Sequence, residues 1–539
     1  MKKRLSALIL CIALVLSAFA GCATEEIEQG QSLAEAEETA PEATVPEEEE
    51  PAEEPEEQPS AEIGPVRAGV GVAWQSQAGL HPYTSTSVTN QAIISLLYEG
   101  LFLVTGNFET EALLCTKTAV SESGYMWYFE IRDDVCFTDG TPLTSEDVIA
   151  SLKAAKASSI YQNRCRIISS MEARGDHAFI MRLNYQNENL PMLLDMPIVK
   201  ASTLEDAVPL GTGPFAKTGE TLVRNARWWQ DREPVVKAET IELVEANTMN
   251  DVRNAFEFGG ADLAYVDTSA STLSAYYSDN ERWGCPTTIM EYLGFNSTGN
   301  YFFSAELRAA LTYAIDRATI VAEIYDGFGV EASLPCAPQA TFYDYGLADG
   351  YAFNLSDYSA MMQASGISPD PADPVLLIVS SSNDRRVETA NFIAAQFNEL
   401  GLFTTVEVLK PKDFQYRLYT GEFDLYLADI RRTPTLDLET FFYSGSGACY
   451  GSMESESVRT LCRSAMENSG NYYDLHREIM RRGMLVPIFF KSYALYATRG
   501  VMGTHTPSVS NIFLNSTGIP ASAIHVSDPY VDQPVPAEG

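Results

Sequence analysis

The stretch over residues 127–152 begins with a strand-like alternation of hydrophobic and polar residues and continues with the signals of a turn and a helix start. The run WYFEIRDDVCF alternates with a period of two and is rich in aromatic residues, which predicts a half-buried strand over residues 127–137. An Asp-Gly pair at 139–140 predicts a tight turn after it, and Pro142 fixes the exit from that turn. Thr144 and Asp147 then have the spacing of a helix capping box. The stretch is therefore predicted to form one strand, one turn and one capped helix.

Strand-like and helix-like patterns alternate again in the C-terminal half. Residues 304–325 carry apolar side chains at spacings of three and four, which predicts one long helix. From residue 375 onward, short apolar runs alternate with amphipathic runs, and the connections between them are short. The predicted elements are strands over 375–381, 403–410 and 423–430, with helices over 385–401 and near 413–421. This alternation is typical of a mostly parallel sheet flanked by helices.

The N-terminal residues predict export and a lipid anchor. Three basic residues at positions 2–4 precede a run over 7–20 that is apolar except for Ser17 and ends in small residues and a cysteine. The apolar run is too short for an ordinary membrane span of about 20 residues, so the pattern predicts a lipoprotein signal peptide over residues 1–21. Cys22 is then the predicted site of lipidation and the mature N-terminus. The alternative is a simple secretory signal in which this cysteine is incidental.

The chain is strongly acidic, with a formal net charge of -37, and the acidity is unevenly distributed. Residues 23–64 contain sixteen glutamates, no lysine or arginine, and repeated proline and alanine. A segment of this composition cannot bury enough apolar surface to fold, so we expect residues 22–64 to be a disordered acidic tether. Residues 527–539 are expected to be a disordered tail. The negative charge argues against nucleic acid as a partner.

The remaining cysteines give no evident disulfide framework. They follow Cys22 at wide spacings and are odd in number, and isolated cysteines are usually small buried apolar residues. We expect mostly free thiols, with one or two disulfides left open. The residues concerned are Cys115, Cys136, Cys165, Cys285, Cys336, Cys449 and Cys462.

Several short motifs occur in an order that resembles one known family. The most specific is the stretch at 127–152, with its Arg-Asp pair, its Asp-Gly-Thr-Pro-Leu-Thr turn and its Glu-Asp-Val helix start. Supporting motifs are YEGLF (98–102), GTGPF (211–215), RNARWW (224–229), GGADLAYV (259–266), GFNS (294–297), ELRAALTYAIDRATIV (306–321) and VPIFF (486–490). Together they resemble family 5 of the bacterial extracellular solute-binding proteins, the peptide and nickel group that delivers ligands to ABC importers. The resemblance covers residues 66 to about 515.

The resemblance implies an α/β fold with two hinged lobes of the periplasmic-binding-protein type II kind, mixed sheets and an extra domain. Lobe 1 is expected to be discontinuous, with the extra domain inserted in it, and lobe 2 to be continuous. The expected boundaries are 66–105, 200–265 and 492–526 for lobe 1, 106–199 for the extra domain, and 266–491 for lobe 2. The strand-turn-helix signature is expected to be structural, with ligand contact from Thr138 or Asp139 as the minority alternative.

Two regions near the expected cleft carry candidate ligand-binding residues. The loop after the first strand is rich in hydroxyl groups, which makes Tyr83, Thr84 and Thr86 candidates, with a solvated loop as an equal alternative. The candidates at the expected crossings between the lobes are Tyr265, Asp267, Phe490 and Lys491. For these four residues, a role in hinge geometry is favoured over ligand contact.

A third candidate region follows the predicted strand over 423–430. Peptide-binding members of the family often carry an aspartate here that holds the ammonium group of the ligand, and the resemblance places Thr433 at that position. Asp429 and Asp437 are near enough to substitute if the register differs. Ordinary recognition of a peptide ammonium group is therefore in doubt.

Three arginines in the same part of the chain favour a different ligand chemistry. Arg431 and Arg432 follow the strand, and Arg385 lies at a helix start where family members can meet the carboxylate of the ligand. Arginine binds carboxylate or phosphate with two parallel hydrogen bonds, so arginines in the cleft would favour an anionic ligand or one with an acidic end. The alternative for Arg431 and Arg432 is a solvated turn, or ion pairs with the neighbouring aspartates.

The chain shows no catalytic constellation, and the expected function is capture of a solute. It lacks H-E-x-x-H, G-x-S-x-G, S-x-x-K and C-x-x-C motifs and a phosphate-binding loop, and its five histidines are too scattered to predict a metal site. No cofactor is expected. The resemblance implies a monomeric lipoprotein outside the cytoplasmic membrane, or in a periplasm, that passes a small peptide or similar solute to an ABC permease and its ATPase. The alternatives are a carrier of a non-peptide or anionic solute or a nickel chelate, and a surface sensor or adhesin that kept the scaffold.

Overall fold

A computed structural model describes residues 67–269, 276, 279–299 and 301–526. The predicted signal peptide, the lipidation site Cys22, the acidic tether over 22–64 and the tail over 527–539 lie outside the described residues. In the described part of the chain, we find no helix that combines the length and the apolar character needed to span a bilayer.

Seventeen strands and twelve α-helical segments make up the regular part of the described chain. The strands are β1 (Arg67–Trp74), β2 (Phe102–Val104), β3 (Thr110–Ala112), β4 (Cys115–Val120), β5 (Met126–Ile131), β6 (Ile168–Ala173), β7 (Ala178–Leu183), β8 (Phe215–Thr218), β9 (Thr221–Arg224), β10 (Ala238–Glu245), β11 (Leu263–Val266), β12 (Asn280–Phe295), β13 (Gly329–Glu331), β14 (Val375–Ser380), β15 (Thr404–Leu409), β16 (Leu425–Arg431) and β17 (Val486–Thr498). The helices are α1 (Val88–Leu97), α2 (Ser145–Ala157), α3 (Gln162–Cys165), α4 (Met249–Glu257), α5 (Ala305–Ala310), α6 (Arg317–Thr319), α7 (Tyr345–Asp349), α8 (Leu355–Ser365), α9 (Asp384–Glu399), α10 (Pro411–Thr420), α11 (Glu456–Glu467) and α12 (Tyr472–Arg481).

An eleven-stranded mixed sheet runs through most of the described chain. Its strand order is β15-β14-β16-β12-β17-β11-β1-β10-β9-β8, with β13 paired to β17 off this path. Strand β14 pairs parallel with β15 and β16, and β1 pairs parallel with β10 and β11. The central neighbours β16-β12-β17-β11 and the end β10-β9-β8 are antiparallel. The predicted α/β class with mixed sheets is confirmed.

The buried apolar side chains form two large cores, and the two long strands β12 and β17 contribute to both. Core A contains buried side chains from β12 between Met290 and Phe295 and from β17 between Val486 and Phe490. Core B contains Cys285 from β12, together with Tyr493 and Leu495 from β17. Apart from Val104, Phe108 and Met192, which join core A from the N-terminal half of the chain, each core draws on its own elements, so the described chain has two lobes that share a pair of strands.

The two shared strands pass from one core to the other at positions that are paired with each other in the sheet. On β12, the pairing register with β17 shifts between Pro286 and Met290, and such a bulge bends a strand and loosens its ladder locally. On β17, Lys491 and Ser492 occupy the corresponding position. The sequence predicts that lobe 2 begins at residue 266, whereas β12 side chains join core A only from Met290 onward. The domain boundaries remain a prediction.

A separate antiparallel sheet lies within the segment predicted as the extra domain, 106–199. Its strand order is β4-β5-β7-β6, and β2 pairs with β3 in a two-stranded sheet nearby in the chain. Side chains of the four-stranded sheet, including Phe129 and Phe179, stack in core B with ring centroids 4.9 Å apart. This smaller sheet therefore packs with lobe 1.

The signature stretch forms a strand, a turn and a capped helix, as predicted. The strand β5 ends at Ile131, however, so its predicted extent to residue 137 is wrong, and Cys136 forms an isolated bridge with Pro142 beyond it. Gly140 takes a φ of 87°, a left-handed conformation that favours glycine. Thr144 and Asp147 form both hydrogen bonds of the capping box at the start of α2. Asp139 pairs with Lys200 at 2.5 Å, which ties the turn to the segment that follows the predicted extra domain. The signature is thus a structural unit.

Three of the shorter motifs meet at one buried carboxylate. Glu99 of YEGLF accepts hydrogen bonds from Thr212 of GTGPF at 2.8 Å and from the indole nitrogens of Trp228 and Trp229 of RNARWW at 3.0 and 2.8 Å. Burial raises the pKa of Glu99 in spite of these donors. Gly211 cannot carry a side chain, because a Cβ there would lie 2.2 Å from the carbonyl oxygen of Leu97.

The prediction of one long helix over residues 304–325 is wrong. Helix α5 ends at Ala310, a 3-10 turn follows, and Ile315 has an extended backbone with φ of −104° and ψ of 114°. Asp316 then starts α6 as an N-cap, since its side chain accepts a hydrogen bond from the backbone of Thr319. A local aspartate cap therefore outweighs the continuous apolar period.

The seven cysteines that follow Cys22 are all free. Five of them are buried, and Cys136 and Cys449 are half-buried. The expectation of free thiols is confirmed, and the described residues contain no disulfide.

Candidate functional site

A cluster of charged side chains lies where β12 and β17 pass between the two cores. We call it the hinge cluster, and its members are Asp267, Glu291, Arg386, Asp429, Arg431 and Lys491. Lys491 is only 2% exposed, and its Nζ lies 3.4 Å from Asp429 Oδ2 and 3.6 Å from Asp267 Oδ1. It also donates to Ser269 Oγ. Burial alone would lower the pKa of Lys491, but the two carboxylates raise it overall.

Arg386 joins two carboxylates of the hinge cluster. It lies in the first turn of α9, where Asn383 caps the helix, and its Nε is 3.2 Å from both carboxylate oxygens of Glu291. Its Nη2 is 2.5 Å from Asp429 Oδ2. Burial raises the pKa of Glu291, which is 0% exposed, in spite of Arg386. The pKa of Asp429 is lowered, because Arg386 and Lys491 outweigh the effect of burial.

Arg431 differs from the other cations of the hinge cluster, because it is exposed. It ends β16, and its Nη2 donates to Tyr493 Oη at 2.8 Å. Among the described residues, no carboxylate lies within ion-pair distance of its guanidinium group. Its remaining N–H groups can therefore bind an incoming anion.

The neighbouring Arg432 follows the last residue of β16 and is buried against core A. It is 5% exposed, its guanidinium carbon is 4.8 Å from the ring centroid of Phe441, and its three guanidinium nitrogens have no hydrogen-bond partner among the described residues. Burial lowers its pKa to about 10. Of the two adjacent arginines, only Arg431 is therefore exposed to solvent.

The other candidates of this region are engaged with protein groups. Arg385 donates to the carbonyl oxygen of Ile324 at 2.6 Å and to Asp326 Oδ2 at 2.5 Å. Thr433 Oγ1 lies 3.0 Å from the hydroxyl oxygen of Thr435. The substitute aspartates Asp429 and Asp437 each have an arginine partner. A ligand ammonium group would have to compete for these carboxylates.

The hydroxyl-rich loop after β1 presents two exposed threonines. Thr84 and Thr86 are exposed, whereas Tyr83 is buried and donates to the carbonyl oxygen of Pro197 at 2.7 Å. At the crossings, Tyr265 packs edge-on against Tyr493 with centroids 5.7 Å apart. Phe490 belongs to core A. Ligand contact by any of these residues remains a prediction.

Sequence reasoning missed Glu291, Arg386 and Tyr493 as parts of this site. A usable signal was present, because Glu291 is a charged residue inside the apolar strand segment IMEYLGF. A glutamate in such a position is almost never fully buried unless it is paired. The partner Arg386 could not be read from the sequence, since 95 residues separate the two.

Several contacts connect the two lobes away from the hinge cluster. Arg166, which follows α3, lies 2.5 Å from Asp437 Oδ2 and 3.3 Å from Glu439 Oε2. Asn189 Nδ2 donates to Ser469 Oγ at 2.7 Å. These contacts would break if the lobes separated.

We find no arrangement in the described residues that suits a metal ion. No group of three or more His, Cys, Asp or Glu side chains is placed to hold one.

The described chain has two α/β lobes that share two strands, and a charged cluster lies where these strands cross between the lobes. This is the architecture of a periplasmic binding protein. Residues 109–450 match the middle part of the bacterial extracellular solute-binding proteins, family 5. The chain therefore belongs to this family.

Relatives with known names agree with this assignment. The glutathione-binding protein GsiB of Escherichia coli is 24% identical over 49% of this chain and 55% of its own length. The oligopeptide-binding protein AppA of Bacillus subtilis is 22% identical over 60% of this chain and 66% of its own length. The chain thus matches less than two thirds of the length of these curated relatives.

A solved structure shows the same fold. NikA from Brucella suis, in complex with Fe(III)-EDTA, superposes with a TM-score of 0.65 at 17% identity, over 83% of this chain and 100% of NikA. The predicted two-lobed periplasmic-binding-protein fold is confirmed.

Proposed function

We propose that this protein is the extracytoplasmic substrate-binding component of an ABC importer. It captures a peptide or peptide-like solute between its lobes and delivers that solute, unchanged, to a membrane permease that works with an ATPase. Membership of the solute-binding family supports the class of function. The observation that carries the mechanism is the pair of strands that pass between two separate cores with a register shift at the crossing.

A hinged mechanism follows from this arrangement of strands. Each core keeps its own packing while the bulged segment between Pro286 and Met290 absorbs a change of backbone angle. A solute that contacts both lobes favours the closed form by its differential affinity for that form. No covalent chemistry is required.

Arg431 supports a ligand with an acidic end. Its guanidinium group is exposed and has no carboxylate partner among the described residues, while the nearby carboxylates Asp429 and Asp267 are engaged with Lys491. A carboxylate of the ligand is therefore easier to bind here than an ammonium group. The same observation favours the second candidate, a carrier of a non-peptide anionic solute or an anionic metal chelate.

The membrane attachment is part of the proposal. Acylation of Cys22 would hold the folded lobes outside the cytoplasmic membrane through the acidic tether, with the protein acting as a monomer. Metabolic labelling with an alkyne-bearing fatty acid should label the wild-type chain. A Cys22→Ala variant should remain unlabelled, and labelling of that variant would contradict the assignment.

Native mass spectrometry tests the ligand proposal. The protein purified from its own host should carry a small solute, and the solute released from it should be chemically intact. Binding of that solute is then measured for Arg431→Ala and for the matched control Arg477→Ala, which removes an exposed arginine on α12. Loss of affinity in Arg431→Ala alone supports the proposal, whereas equal affinity in both variants contradicts a role for Arg431.

A further inference from the structure

One guanidinium group in lobe 2 is buried without a hydrogen-bond partner. Arg432 is 5% exposed, and none of its three side-chain nitrogens meets an acceptor among the described residues. The ring of Phe441, with its centroid 4.8 Å from the guanidinium carbon, gives it a cation–π contact. A buried cation without an acceptor has lost its water and gained no hydrogen bond in return, which costs free energy. The form described here is therefore unfavourable for Arg432.

A carboxylate that can pair with Arg432 is close by, but a residue on the lobe 1 side holds it. Burial lowers the pKa of Arg432, and Asp437 opposes this effect more than any other group does. Both charges also act on the pKa of the Cys462 thiol, which burial and Asp437 raise and Arg432 lowers, so the two flank the same side chain. Asp437 Oδ2 lies 2.5 Å from the guanidinium group of Arg166, in the predicted extra domain. Two cations, one from each lobe, therefore compete for Asp437.

The two acidic residues that Arg166 contacts differ in the partners that remain to them when Arg166 is withdrawn. Glu439 Oε1 lies 3.0 Å from Arg463 and 3.4 Å from Arg459, and both of these arginines belong to lobe 2. Asp437 has no second ion-pair partner in the described chain. Separation of the lobes therefore leaves Glu439 paired, but it frees Asp437 beside a guanidinium group that is also unpaired.

We propose that Asp437 exchanges partners when the lobes open, pairing with Arg166 while the lobes are in contact and with Arg432 once Arg166 has withdrawn. The open form then has an ion pair within lobe 2, and the closed form has an unpaired buried cation in its place. This difference biases the ligand-free protein toward opening. A solute that closes the lobes has to offset the bias, so its apparent affinity is lower than the closed form alone would give. The inference rests on the proposed capture of a solute between moving lobes.

Amide hydrogen exchange at a contact between the lobes measures the opening without any ligand. The N–H group of Glu188, in the predicted extra domain, donates to the carbonyl oxygen of Met466 in lobe 2 at 3.1 Å. Its protection factor therefore reports how often the two lobes separate. Asn184 is the internal control, since its N–H group donates to the carbonyl oxygen of Ile167 at 2.8 Å within the predicted extra domain. Exchange of the full chain is followed by mass spectrometry with fragmentation to single residues.

Replacing Arg432 by methionine removes the buried cation and keeps a side chain of similar length. Arg432→Met should raise the protection of the Glu188 amide at least roughly tenfold, because the open form loses its ion pair and the closed form loses its unpaired charge. Arg432→Gln, a second neutral replacement, should act in the same direction. The matched control Arg477→Met removes an exposed arginine of α12 and should change this protection less than about twofold.

A second background tests whether the effect of Arg432 passes through Asp437. Asp437→Asn keeps the side-chain oxygen that accepts the N–H group of Glu439 but removes the charge. Arg432 then lacks a carboxylate in both forms, so its removal no longer favours either of them. Adding Arg432→Met to Asp437→Asn should therefore change the protection of the Glu188 amide less than about twofold.

Two results would overturn the partner exchange while leaving the hinge intact. One is unchanged protection of the Glu188 amide in both neutral variants of Arg432. The other is an equal gain with and without Asp437→Asn, which would give Arg432 a role in packing alone.

Arg166→Ala separates the exchange from the hinge itself. It should lower the protection of the Glu188 amide and leave that of Asn184 unchanged, because the closed form loses a contact between the lobes. If Glu188 keeps its protection in Arg166→Ala, the lobes do not open at this contact. That result would contradict the partner exchange and the proposed capture between moving lobes together.

Discussion

Replacing Arg386 by methionine tests whether the hinge cluster is held together by ion pairing. The change removes the only cation within ion-pair distance of Glu291 among the described residues, and Glu291 is 0% exposed. Removing one partner of a buried ion pair leaves an uncompensated charge and typically costs about 3–5 kcal/mol. Arg386→Met should therefore lower the free energy of unfolding by about that amount at pH 8.

The pH dependence of this loss gives a second, independent readout. Without the guanidinium group, the pKa of Glu291 rises further above its unfolded value of about 4.3, so the folded state holds a proton that the unfolded state releases. The stability of the variant then falls as the pH rises above the unfolded pKa. The loss relative to wild type should accordingly be smaller at pH 5 than at pH 8.

Urea unfolding followed by tryptophan fluorescence at both pH values measures these losses. The matched control Arg477→Met breaks an exposed pair with Asp474 and should cost less than about 1 kcal/mol at either pH. The double variant Glu291→Leu with Arg386→Met removes both charges and should recover at least half of the loss. A cost in Arg386→Met below about 1 kcal/mol, or the same cost at both pH values, would refute the reasoning.

Three further predictions follow from single buried or bridging groups. Glu99→Leu leaves four donors, one of them fully buried, without their acceptor and should lower the free energy of unfolding by about 2–5 kcal/mol. A loss under about 0.5 kcal/mol in urea unfolding would contradict the role given to this carboxylate. Burial lowers the pKa of His476 to about 3, so between about pH 3 and pH 6.5 only the unfolded state binds a proton at this residue. The free energy of unfolding therefore decreases as the pH falls through that window. His476→Leu removes this contribution and should make unfolding curves at pH 7 and pH 4.5 more alike than in wild type. Arg166→Ala removes an ion pair between the lobes and should enlarge the radius of gyration of the ligand-free chain in X-ray scattering, with Arg477→Ala as the control that leaves the radius unchanged.

Local rules in the sequence were sufficient for the helix of the signature and for the strands and helices of the β14 to β16 region, but they extended the signature strand beyond its end at Ile131. The capping box of Thr144 and Asp147 and the left-handed Gly140 depend only on neighbours in the chain, and the structure has both. The helix over residues 304–325 failed because periodicity was weighed without the aspartate at 316, whose cap starts a new helix.

The pairing within the hinge cluster could not be predicted from the sequence. Lys491 and Asp267 were recognised as crossing residues, but their carboxylate and ammonium partners come from strands and helices far apart in the chain. Arg431 and Arg432 are adjacent in sequence, yet Arg431 ends β16 with an exposed side chain and Arg432, just beyond the strand, is buried against Phe441. Side-chain pairing across a sheet therefore required the structure.

X-ray scattering of the full chain, with and without the solute recovered by native mass spectrometry, tests the hinge most directly. If β12 and β17 bend at the crossing, the ligand-free chain samples open forms and its radius of gyration decreases on saturation. A radius that stays the same, with a solute shown to be bound, would contradict the closing of two lobes around a ligand.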